Sequence, residues 1–205
     1  MYVDFSTHHY DRGPLIALVL QFIWQKGLRF LMPLGPEPSF KEQRAGGLRG
    51  MKWSLYEGGI REPFIARWPG HIPAGKTESN MVLASIDLFP TICGLTGVAL
   101  PKGIAVNGMN ASTALLGNPL LRSEPLFWEY GRKPDYLFPK EPGSRSPNLA
   151  IRDGKWKLLV NADGSSPKLY DLSADLSESC NLALQNPAET KRLTDLVFTW
   201  RKSLP

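Results

Sequence analysis

Cysteine is nearly absent: the 205 residues hold two, Cys93 and Cys180. Two thiols cannot build a disulfide scaffold, and without a C-x-x-C pair there is no zinc ribbon. Cys93 falls in an apolar helical pattern and reads as a buried thiol. Histidine is almost as scarce, at three residues. His8 and His9 read as solvated residues near the N-terminus, and His71 as a surface-loop residue. Basic runs are lacking too. The net charge is +5, but Lys and Arg are dispersed and do not interleave with aromatics, which argues against nucleic-acid binding. The most apolar run, Leu15 to Trp24, is about half the length of a bilayer span. His8, His9, Asp11 and Arg12 precede it and no clean cleavage site follows, so it reads as a buried helix, with no membrane span and no targeting segment that would fix a compartment.

Turn-forming residues are abundant, with 18 prolines and 19 glycines, so the elements are short and numerous. Three segments differ in texture: an atypical N-terminal segment (1–34), a partial α/β core (35–122), and an antiparallel-sheet-plus-helix subdomain (123–205). In the middle segment, Phe64 to Trp68 reads as a buried strand closed by Pro69-Gly70, and Met81 to Ile86 as another. Ser85 or Asp87 caps a helix with Leu88, Ile92 and Leu95 at helical spacing and Gly97 as its stop. In the last segment, Leu126 to Tyr130 is a strand. Asn148 to Val160 is a hairpin about Asp153-Gly154, a type I′ signal. Trp156, Leu158 and Val160 alternate onto one of its faces, with Lys155, Lys157 and Leu159 on the other. Lys168 to Leu172 adds a strand. Asn186, Pro187 and Glu189 signal a capped helix with Leu193, Leu196, Val197 and Trp200 as its apolar stripe. Trp128, Trp156 and Trp200 read as core rather than as binding platforms.

One stretch carries chemistry: Gly50-Met51-Lys52-Trp53-Ser54-Leu55-Tyr56-Glu57-Gly58-Gly59-Ile60-Arg61-Glu62-Pro63. Lys52 lies in a glycine-rich loop, where backbone and ammonium can approach an anion. Gly58-Gly59 permits a sharp backbone path that Glu57 and Arg61 can brace as a pair. The plainer reading makes Lys52 a solvated loop lysine and Glu57–Arg61 a surface ion pair.

The stretch resembles the sulfatase family's GK-x-[ST]-x-x-EGG-x-R-x-P segment through Lys52, Ser54, Glu57, Gly58, Gly59, Arg61 and Pro63. Further resemblances follow in order: Trp68-Pro69-Gly70 with Ile72 and Gly75, Ile86 to Thr91 (the DLFPT helix start), Asn107-Gly108, Ile151 to Leu158 (R-x-G-x-WKL), Leu169 to Leu172, and Asn181-Leu182-Ala183. They run from about residue 35 to the end. The resemblance implies an arylsulfatase-like sulfuric ester hydrolase, and an α/β fold: the C-terminal part of an alkaline-phosphatase-like core followed by a small antiparallel sheet with a C-terminal helix. It implies that Lys52 contacts the substrate sulfate, with Glu57, Gly58, Gly59 and Arg61 as framework. It also implies calcium as cofactor, and a sulfate-ester small molecule or glycan as partner.

The same resemblance exposes gaps. The family's nucleophile motif, C/S-x-P-S/A-x-R, has no counterpart: Cys93 precedes Gly-Leu-Thr and Cys180 precedes Asn-Leu-Ala. The Asp-Asn pair that ligates calcium falls where this chain has Pro33 and Leu34, whose side chains cannot ligate a hard cation. The expectation is a truncated form, inactive by itself, with residues 1–34 an aberrant start from a frame shift or altered splicing. A natural pseudoenzyme, a non-catalytic sulfatase-like binding or scaffold protein, and a phosphoesterase of the alkaline-phosphatase superfamily are the alternatives. Asn110-Ala111-Ser112 is a glycosylation sequon, relevant only in a secreted chain.

Overall fold

The structure is a computed structural model that describes residues 46–132 and 136–205 and the backbone of 29–31. The helix predicted over Leu15 to Trp24, His8, His9, and the Pro33-Leu34 position lie outside the described residues. Two compact units emerge. One comprises residues 63–122 with the first strand; the other comprises residues 46–62 with 123–205. The motif therefore belongs with the C-terminal sheet rather than with the segment that follows it.

In the first unit, β1 (Arg29–Leu31) pairs antiparallel with β2 (Ile65–Arg67), placing Phe30 opposite Ala66. The strand predicted over Met81 to Ile86 does not form. Residues 81–84 have no regular structure and Ser85–Asp87 makes one 3-10 turn. The cause is Asp87. Its carboxylate accepts the Ala84 N–H at 2.8 Å and the Met109 N–H at 2.7 Å, and pairs with Arg122. Local capping of this kind competes with a sheet ladder. The turn leads into α2 (Leu88–Thr96), which stops at Gly97 with φ 71°. Pro90 is its third residue, where a missing N–H costs no helical bond. Cys93 is buried, as its apolar setting predicts. A short α3 (Ser112–Leu115) follows.

The second unit is built on an antiparallel sheet of order β3-β4-β5-β6: Leu126–Glu129, Leu149–Asp153, Trp156–Val160 and Lys168–Asp171. The hairpin forms, one residue out of the expected register. Asp153 pairs with Trp156, so the loop is Gly154-Lys155. Only Gly154 has positive φ, 56°, which fits a type II′ turn rather than I′.

Leu149, Ile151, Leu158, Val160 and Leu169 form one face of this sheet, and Leu193 and Val197 of α4 (Pro187–Lys202) pack on it. Trp156, Leu196 and Trp200 border this core, and Trp200 stacks on Phe127 at 5.1 Å. The capping box at α4 is absent: Asn186 makes no side-chain cap, and its amide donates to the Leu182 carbonyl instead. Glu189 pairs with Arg192. The other sheet face is covered as well. Ala150, Leu159, Tyr170 and Leu172 pack against Leu55 and Tyr56 of the motif, with Trp128 and Tyr130 alongside. A sheet buried on both faces explains why Lys157, which shares a face with Leu159, is buried.

Candidate functional site

The motif is a loop wound on itself, leading into a single helical turn, α1 (Glu57–Ile60). The Gly58 N–H donates to the Arg49 carbonyl at 2.7 Å, the Gly59 N–H to Tyr56 at 2.8 Å, and the Arg61 N–H to Glu57 at 2.8 Å. A Cβ on Gly58 would stand 2.6 Å from the Arg49 oxygen. One on Gly59 would stand 2.5 Å from the Met51 oxygen and closer still to that of Ser54. These two glycines serve close backbone approach. The left-handed backbone lies elsewhere, at Gly50 (φ 84°) and Trp53 (φ 73°). Tryptophan in that region is strained, and such strain persists only where the surroundings over-determine it. Lys52 stands between these two positions. It is half-buried, its Nζ 6.0 Å from the centre of the Trp53 ring.

The Glu57–Arg61 pair forms at 3.2 Å, but it is not a surface pair, because Glu57 is only 2% exposed. Glu57 belongs to a buried charge cluster. Lys157, fully buried, places Nζ 2.8 Å from Glu57 Oε1 and 2.9 Å from Glu178 Oε1. The Glu178 contact is an ion pair between two fully buried groups. The Glu57 N–H donates to Glu178 Oε2 at 2.6 Å. Glu178 itself has φ 54°. Burial pushes the Glu57 carboxyl up, but Lys157, with Arg152 and Arg61, outweighs it and holds the group below its ordinary range. For Glu178 burial prevails over Lys157 and the Glu57 N–H, and the carboxyl is raised.

Further ties join the loop to the sheet. Arg49 donates to the Tyr170 hydroxyl at 3.2 Å and to the Glu178 carbonyl at 3.0 Å, and its guanidinium covers the Tyr56 ring. Lys168 donates to the Tyr56 hydroxyl at 2.8 Å, and the Leu55 N–H to Ser146 Oγ at 2.8 Å. Burial, then Tyr56, raises the Tyr170 phenol. Trp53 also lines a cleft of about 110 Å³ with Tyr130, Tyr136, Phe138, Arg145 and Asn148.

The structure thus gathers the five sequence-nominated residues Lys52, Glu57, Gly58, Gly59 and Arg61 into one loop and turn. Sequence reasoning missed Arg49, Lys157 and Glu178. A signal existed for Lys157, a lysine alternating with Leu159 in a strand rich in apolar residues on both sides. Glu178 sits in a polar loop and gave none. Among the described residues no cluster of three or more His, Cys, Asp or Glu side chains could hold a metal ion.

Residues 51–199 match the family described as N-sulphoglucosamine sulphohydrolase, C-terminal. Human arylsulfatase A is 34% identical over 67% of this chain and 29% of its own length. The N-acetylgalactosamine-6-O-sulfatase of Bacteroides thetaiotaomicron is 31% identical over 74% of this chain and 29% of its length. A sulfatase structure from the glycosaminoglycan-metabolism locus of that bacterium superposes with a TM-score of 0.59 at 29% identity, covering 77% of this chain and 32% of that one. The chain thus spans less than a third of each of these three relatives, and the antiparallel sheet with its C-terminal helix is part of their alkaline-phosphatase-like fold. This chain belongs to the sulfatase family and carries the C-terminal portion of it.

Proposed function

We propose that Lys52 is the sulfate contact of a sulfuric ester hydrolase site, for an aryl or carbohydrate sulfate, and that this chain does not complete the site alone. The observation supporting the reading is the loop itself. It holds Lys52 between two left-handed residues on a backbone too tight for side chains at Gly58 and Gly59. A fixed ammonium beside a sulfate ester stabilises charge building on the ester oxygens. Glu57, Gly58, Gly59 and Arg61 are framework in this reading. The nucleophile motif is not in the sequence, and Pro33-Leu34 cannot supply the calcium ligands. By this reading the atypical segment ends near residue 34 and the partial core near residue 122. The sulfatase names of the relatives favour a sulfated glycan or small molecule as partner.

A non-catalytic sulfate-binding role is the second reading, favoured by an intact anion loop without a nucleophile. One experiment tests Lys52 and the lack of turnover by this chain alone that both readings expect. The purified chain is incubated with a chromogenic aryl sulfate and calcium, and titrated with inorganic sulfate by calorimetry. Sulfate binding lost in Lys52→Ala, with no turnover, is expected. Turnover abolished by Lys52→Ala would overturn the inactive form. Sulfate affinity unchanged in Lys52→Ala would overturn the anion contact.

A further inference from the structure

We infer that Lys157 and Glu178 are positioning residues for the sulfate-contacting loop, acting through Glu57. The inference rests on the reading of Lys52 given above. Neither residue lies in the Lys52 segment, and each fixes a different part of Glu57. Lys157 takes the side chain at 2.8 Å, and Glu178 takes the backbone N–H at 2.6 Å. Glu57 begins the single turn whose next two residues hold the loop closed, through the Gly58 bond to Arg49 and the close approach of Gly59 to Met51 and Ser54. A shift of Glu57 is therefore passed to Arg49, Met51 and Ser54, whose backbones Gly58 and Gly59 touch directly.

The cluster is unusual as a purely structural device. Two carboxylates and one ammonium are desolvated, an arrangement that seldom stabilises more than apolar packing would. Glu178 also holds a left-handed backbone to take part. Arg49 ties the same two elements, donating to the Glu178 carbonyl from the start of the loop. The sheet thus grips the loop at both ends, with Lys52 between the grips.

The test uses the full chain, inorganic sulfate as probe, and three variants. Glu178→Leu removes the acceptor of the Glu57 N–H, and Lys157→Met removes the ammonium. Glu178→Gln keeps an amide oxygen in the acceptor's place. Sulfate affinity is read by calorimetry, and amide hydrogen exchange is read along the chain. Glu178→Leu and Lys157→Met are expected to weaken sulfate about tenfold, as losing a buried hydrogen-bond partner does. Both should speed exchange most in residues 49–59, and by less in β4, β5, β6 and α4. Glu178→Gln should restore affinity to near the parent value. Unchanged affinity in the two apolar variants would overturn the proposal. So would a loss of protection in the sheet and α4 as large as that in residues 49–59, which marks a merely structural role. If the parent chain binds no sulfate, the Lys52 reading fails, and exchange alone decides the clamp: a loss greatest in residues 49–59 sustains it, and a uniform loss or none overturns it.

Discussion

Lys157 Nζ lies 2.8 Å from Glu57 Oε1, joining two residues one hundred positions apart in the chain. The bond connects the family's glycine motif to the central hairpin of the C-terminal sheet. It also means that the ammonium and the carboxylate left water together, so removing one strands the other.

Lys157→Met should destabilise the second unit by about 3 kcal/mol or more, the cost of leaving buried carboxylates without their cation. Adding Glu57→Gln and Glu178→Gln should recover part of that loss, since neutral groups carry a smaller desolvation cost. Urea unfolding followed by tryptophan fluorescence measures both. A triple variant less stable than the single one would contradict the charge-stranding argument.

The two carboxylates should respond to pH in opposite directions. Glu178 is raised above the ordinary 4.5, so its contribution is fully present below 4.5 and is lost as pH rises through its folded value. The parent chain should therefore lose stability relative to Glu178→Gln as pH climbs from 4.5 toward neutrality. Glu57 is lowered, so its contribution is present above 4.5 and is lost as pH falls through its folded value. The parent should lose stability relative to Glu57→Gln on acidification below 4.5. Urea midpoints across a pH series give both slopes.

Glycine substitutions should separate space from backbone angle. Gly59→Ala drives a Cβ into the Met51 and Ser54 carbonyls and should cost about 3 kcal/mol, as severe overpacking does. Gly154→Ala meets no atom within 4 Å but sits at φ 56°, and should cost about 1 kcal/mol. Gly143→Ala meets neither obstacle and should be near neutral. Thermal denaturation of the three variants tests the ranking.

In the first unit, Asp87→Ala should unfold the 3-10 turn ahead of α2. It leaves the Ala84 and Met109 N–H groups without acceptors and Arg122 without its carboxylate. The cost should be about 3 kcal/mol, the sum of two or three lost buried hydrogen bonds. Asp87→Asn keeps one acceptor and should lose less. Amide exchange at Ala84 and Met109 reports the effect directly.

The sequence by itself determined the sulfatase family, the hairpin, the C-terminal helix and its stripe, and Lys52 as the nominated anion contact. Those features are written in adjacent residues: a glycine pair beside Glu57, Gly154 before a strand, Leu193 and Val197 one helical turn apart. Local signals failed where a polar side chain took a different partner from the one its position suggests. The Met81 to Ile86 stretch lost its strand to the Asp87 carboxylate, and Asn186 and Glu189 gave up a capping box to other partners. Only the tertiary structure decided that both faces of the sheet are covered. That burial turns Glu57–Arg61 from a surface pair into the edge of a buried cluster, and it brings Lys157 and Glu178 to the motif. No spacing rule encodes such a meeting, because charges are driven together there by their shared exclusion from water, between segments that the chain separates by a hundred residues.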